Sequence, residues 1–230
     1  VSNQIASGQR FLFIVVLLTL CCHGCARLPD FAQPHLSNQP FDPSLGSISY
    51  RQLTVEDFKA LTPSPHIADH RHMINAHSSI SLRPTTEMHY VISPPQLNFG
   101  VYKAYLQDLS FKAVMIPERS WWNPEIPANK TAYVLQHEQI HFALMEIAAR
   151  RLNRKLSLSV TRSISGPDQK SVEQQLVKVV DEEIAAAQKE ILAEHTAFDE
   201  AASLRYAPQD QQEWYNKSQK ELDNLAKWAR

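Results

Sequence analysis

The stretch TAYVLQHEQIHFALMEIAARRLNRKL, Thr131 to Leu156, has neither Gly nor Pro, is rich in strong helix formers and ends in a basic cluster suited to the negative end of a helix dipole. It predicts a long helix, with Asn129 or Thr131 available as N-cap after the proline-broken loop SWWNPEIPANK. Inside it, His137 and His141 stand four residues apart, about 40° around the axis and one turn along it, so both imidazoles can reach one cation. Glu138 lies about 100° round from His137, outside that coordination sphere but within reach of a metal-activated water. The pattern HExxH thus encodes two metal ligands and a general base. The flanking Val134, Leu135, Ile140, Phe142, Leu144, Met145 and Ile147 predict burial of the helix, and two unpaired histidines beside a buried glutamate would be costly without an ion.

A hydrolytic zinc site takes a third protein ligand and leaves a fourth position for water. The elongated form HExxHxxGxxH is excluded, because Leu144 stands at the glycine and Ile147 at the third histidine. Glu146 points to nearly the opposite side of a straight helix and is better placed to pair with Arg150 at i+4. A second run free of Gly and Pro, Ser171 to about Ser203, predicts another long helix with Leu176, Val179, Val180, Ile184, Ile191 and Leu192 in its core stripe. Near its end His195 and Asp199 share a face four residues apart, so one can bind the metal while the other orients a ligand or the substrate. A last helix starts near Pro208.

Upstream, MHYVIS, LNFGVYKAYL and LSFKAVMIP alternate aromatic and β-branched residues with polar ones, and AHSSISL opens another strand. Thr54 and Asp57 predict a capping box at a short helix. The fold class expected is α+β: a small antiparallel sheet, the HExxH helix and two further helices. Asp69, His70, His72 and His77 have the residue types of a second metal site, but their irregular, proline-flanked spacing favours a surface loop, with His77 facing the site from the sheet. Trp121 and Trp122 read as buried aromatic anchors. Arg205 and Tyr206 are of the right types to stabilise an oxyanion, although nothing in the sequence singles either out.

The 230 residues carry a formal charge of -1 and 5 Gly against 14 Pro, with no GxGxxG or GxxxxGK[ST]. Neither nucleic acid nor nucleotide is an expected partner. The apolar run FLFIVVLLTLCC after Arg10 has the size of an export signal, and Gly24-Cys25 has the form of a lipoprotein processing site, with Cys25 taking the lipid. Residues 1–25 are accordingly expected to be a leader, 26–46 a flexible tether and 47–230 one metallopeptidase domain, exported and held in the periplasm or at a bacterial envelope by a lipid or the leader. All three cysteines, Cys21, Cys22 and Cys25, lie in the leader, so any metal in the body must be held by His and carboxylates.

The string HEQIHFALMEIAAR resembles the HEQxHFDIxExxAR core of a bacterial family described as predicted secreted zinc-dependent proteases. VEDF, AHSSISL, ERSW and the pair Gln211 and Trp214 extend the likeness over about residues 47 to 220. The family's YDxxTxHG stretch corresponds to FDEAASLR, in which Phe198 replaces the tyrosine, Ala202 the threonine and Leu204 the histidine; Asp199 is retained, while Ala143 replaces the aspartate of HFDI. The resemblance implies a zincin-like fold and a Zn2+-dependent peptidase acting on a peptide or protein. His137, His141 and Asp199 would then be the ligands, with His195 as alternative third ligand and Glu138 as base. The departures keep a second reading in view, an envelope scaffold module that has kept the fold without the catalysis.

Overall fold

The computed structural model describes residues 28, 29, 32, 34, 46–85, 87–95, 100–159 and 163–230. The run expected to be an export signal and Cys25, the expected lipid site, lie outside them, as does most of the expected tether. In chain order the elements are β1 (Ile48–Ser49), β2 (Ala76–His77), β3 (Ile80–Pro84), β4 (His89–Ser93), β5 (Tyr102–Asp108), β6 (Phe111–Met115), β7 (Trp121–Trp122), α1 (Ala128–Ser159), β8 (Ile164–Gly166), α2 (Gln169–Ala202) and α3 (Pro208–Asn224), joined by short 3-10 turns. The class is α+β, as expected.

The strands form three small antiparallel sheets rather than one, in the orders β1-β6-β3, β2-β7 and β4-β5-β8. The expected loop SWWNPEIPANK is partly wrong, because Trp121 and Trp122 pair with His77 and Ala76. The strand expected over AHSSISL divides at Ser78, its first part joining one sheet and its second part another. Gly166 sits where β8 passes so close to α2 that a Cβ would fall 2.9 Å from Ser171 Oγ and Val172 Cγ1.

Helix α1 runs through the middle of all this. Its Phe142 and Met145 pack on the β1-β6-β3 sheet with Leu53, Phe58 and Met115. Farther along, Ala149, Leu152 and Leu156 meet Ala104, Leu106 and Phe111 together with Val172 and Leu176 of α2. Its remaining face, Ile140, Ala143, Leu144 and Ile147, packs on Phe198 of α2 and Leu222 of α3. A helix covered on every side explains why apolar residues occur around its whole circumference.

Three polar side chains interrupt that apolar surface at seven-residue intervals, and each meets main chain. Gln139 accepts from Leu53 N (2.7 Å) and donates to Arg51 O (3.2 Å). Glu146 accepts from Ala113 N and from Arg150, the i+4 partner expected of it. Asn153 accepts from Phe111 N and donates to Phe111 O, at 2.7 and 2.8 Å, as a neighbouring strand would. These bonds stitch α1 to β6 and to the segment before the first turn.

Two helix starts differ from expectation. α1 begins at Ala128, directly after Pro127, so Asn129 and Thr131 lie in its first turn and not at its cap. α2 is capped by Asp168, whose side chain accepts from Ser171 N at 2.9 Å. No helix among the described residues is long and apolar enough to cross a membrane.

Candidate metal centre

Two helices each contribute an i, i+4 pair: α1 supplies His137 and His141, α2 supplies His195 and Asp199. Where they pack, three ligand atoms converge. His137 Nε2 and His141 Nε2 are 3.1 Å apart, and Asp199 Oδ1 lies 3.1 Å from the first and 3.0 Å from the second. A tetrahedral ion with bonds of about 2.0–2.1 Å spaces its ligands about 3.3 Å apart, so the triangle is close to the size a first-row cation needs. Its chemistry fits too, because two imidazole lone pairs and a carboxylate oxygen directed at one another leave a place better filled by a cation than by shared protons. The group could hold a metal ion.

His195, the alternative third ligand, is not part of this triangle. Its Nδ1 lies 3.0 Å from Nδ1 of His141, on the far side of that ring from Asp199. With His141 Nε2 presenting a lone pair to an ion, its one ring proton sits on Nδ1 and donates to His195, which fixes the tautomer. Both rings are buried. Burial first, and then the neighbouring His141, push His195 down to about 3, which keeps it neutral and able to accept. Burial opposes charge on His141 as well, but Asp199 outweighs it and raises that ring above its usual value. Asp199 in turn is held well below the carboxylate range, since His141 and His137 overcome the cost of its burial.

The supports come from residues whose role the sequence did not disclose. Phe198, fully buried, stacks on His137 with ring centroids 4.5 Å apart and meets His141 edge-on. Trp214 of α3 backs Phe198, and Gln211 one turn earlier donates to Tyr133 O and Gln136 Oε1 in the turn that carries His137. This is the structural work of the Gln211 and Trp214 pair. Ser203, just after α2, donates to Asp199 Oδ1 at 2.9 Å. Ser78 bonds to Glu138, through N at 3.1 Å and Oγ at 2.5 Å to the same Oε2.

A cleft of about 420 Å³ opens over the triangle and is lined by His137, Glu138, His141 and Asp199. Its lining also takes in the apolar Ile67, Met73 and Ile74, and Tyr133, Arg205 and Tyr206. Ala32 and Pro34, two of the few described residues of the expected tether, also line it, and Leu28 is buried. His77 faces the cleft from β2, ring to ring with His66 at 5.4 Å. Asp69 and His72 are exposed, in keeping with a surface loop. Trp121 is buried and Trp122 packs edge-on to Phe58 away from the cleft, so the pair acts as anchors. Of the oxyanion candidates, Arg205 pairs with Asp210 at 3.6 Å and Tyr206 lies against Tyr133.

Comparison with protein-family models, with curated proteins and with solved structures finds no match to this chain.

Proposed function

We propose that the protein is a zinc-dependent hydrolase, a peptidase of the HExxH kind, exported to the bacterial cell envelope and cleaving peptide or protein substrates there. The observation that carries this reading is the meeting of His137 Nε2, His141 Nε2 and Asp199 Oδ1 within 3.1 Å of one another on the floor of a cleft that Glu138 also lines. The likeness of HEQIHFALMEIAAR to the secreted zinc-protease family points the same way. Leu204 stands where that family has a histidine, but it is 40% exposed and the ligand triangle is complete without it.

Bound in this triangle, zinc would activate a water and polarise the scissile carbonyl. The chain's own groups do the rest. His137 and His141 offer neutral nitrogens, His195 keeps His141 in the tautomer that can do so, and Asp199 supplies the balancing charge. Glu138 takes the proton of the attacking water and returns it to the leaving amine. The apolar Ile67, Met73 and Ile74 receive a substrate side chain and exclude solvent from the charged floor.

The test is the zinc content of the purified protein against His137→Ala, followed by cleavage of a general protein substrate. Stoichiometric zinc in the wild type, lost in the variant, is expected. Wild-type protein that takes up no zinc would overturn the reading.

A further inference from the structure

Between His77 and Ile80 the chain steps from the β2-β7 sheet to the β1-β6-β3 sheet. Such a step leaves main-chain groups without a strand partner, and here they are bound by a fixed frame. Ser79 N donates to Ser120 Oγ (2.9 Å), Ser120 Oγ donates to Ile116 O (2.8 Å), and Ile116 N donates back to Ser79 O (2.9 Å). Ser120 is fully buried. The main chain on both sides of Ser78 is therefore held by two sheets at once.

From that frame Ser78 aims both its donors, N–H and Oγ–H, at one oxygen of Glu138. Glu138 is 4% exposed and next to the ligand His137. A carboxylate needs donors when buried, but nothing about burial alone requires both to fall on Oε2. Two donors on one oxygen stop the group from rotating, which leaves Oε1 as the oxygen that Ser78 does not engage, held in a fixed direction.

We propose that Ser78 is the positioning residue of the general base: by clamping Oε2 it makes Oε1 of Glu138 the oxygen that accepts the proton of the attacking water and delivers it to the leaving nitrogen. Ser78 keeps its own hydroxyl proton throughout and acts through Glu138, although it also lines the cleft. The inference rests on the reading of Glu138 as base in a zinc centre. A merely structural Ser78 would lower stability and metal retention together with activity. A positioning Ser78 lowers turnover and leaves substrate affinity and metal alone.

The full chain, loaded with zinc, is compared as wild type, Ser78→Ala and Ser78→Thr. Zinc affinity is read by chelator competition, melting temperature by calorimetry, binding of acetohydroxamate by titration calorimetry, and kcat and KM on a fluorogenic protein substrate. Acetohydroxamate seats on the metal and donates to the base, so its affinity reports the direction of Glu138 without turnover. In Ser78→Ala the expected result is zinc affinity and KM within about twofold of wild type, acetohydroxamate binding about tenfold weaker and kcat about 10- to 100-fold lower. Ser78→Thr, which keeps the hydroxyl, should restore both to within about threefold of wild type. Unchanged acetohydroxamate binding in Ser78→Ala overturns the proposal, and so does loss of zinc and melting temperature in step with kcat. Wild-type protein that binds no zinc fails in the first arm, before any variant is compared, and that outcome removes the zinc reading itself.

Discussion

Helix α1 carries two sets of buried polar residues, and they are buried on opposite terms. Gln139, Glu146 and Asn153 point at main chain, and the atoms they use there meet partners of complementary kind, a carbonyl oxygen against N–H or an amide N–H against C=O. His137 and His141 point their ring nitrogens at each other and at a carboxylate, so that when both Nε2 atoms are without a proton three acceptors face one another. The first set behaves as an additional strand and holds the helix to the sheet. The second is a set of lone pairs in search of a positive charge. Burial alone does not separate structural polar groups from functional ones; the kind of partner does.

The comparison can be broken most severely at the metal. Replacing His141 by Ala should take zinc retained after dialysis from stoichiometric to none, as read by atomic absorption. Glu138→Gln should keep the zinc and lower kcat by about 100- to 10,000-fold on a protein substrate, the range associated with loss of a general base. Retained activity in that variant would mean that Glu138 is not the base.

The structural set should answer in the opposite sense. Asn153→Leu leaves Phe111 N–H and C=O buried without their side-chain partner, and it should cost about 1–3 kcal/mol of stability, or roughly 5 °C in melting temperature. Zinc affinity should not move. A large loss of zinc in Asn153→Leu would show that the two sets are coupled through the helix and would undo the distinction.

The smallest effect belongs to an ion pair outside the site, in which Asp57 is buried and Arg51 is not. Burial raises Asp57, but the two bonds from Arg51 outweigh it and bring the carboxylate below its usual value. A depressed carboxylate stabilises the fold above its unfolded value and loses that contribution as pH falls through the folded one. The melting-temperature difference between wild type and Asp57→Asn should therefore be present near about pH 6 and fade below about pH 3. Arg51 is half exposed, which keeps the effect small.

Much of the site was legible because helix periodicity is local. Four-residue spacing puts His137 with His141 and His195 with Asp199, whatever surrounds them. The choice between His195 and Asp199 was not legible, since it depends on how α2 is rotated against α1. Nor was Ser78, which lies sixty residues before Glu138 and meets it only because two sheets share one crossover. The division into three sheets escaped for the same reason: strand character can be read along a chain, whereas pairing is decided between distant segments. The caps of α1 were misplaced because the helix already starts after Pro127, which puts the polar residues that looked like caps inside its first turn.

What the sequence determined by itself is the run of helix formers in α1 and α2, the two i, i+4 pairs and the lack of any thiolate among the described residues, all set by residue type and local geometry. Only the tertiary structure decided that Asp199 and not His195 completes the triangle, that Ser78 holds Glu138, and that Gln139, Glu146 and Asn153 serve the fold. Each of these depends on groups brought together from segments 33 residues or more apart, where direction and distance are set by packing.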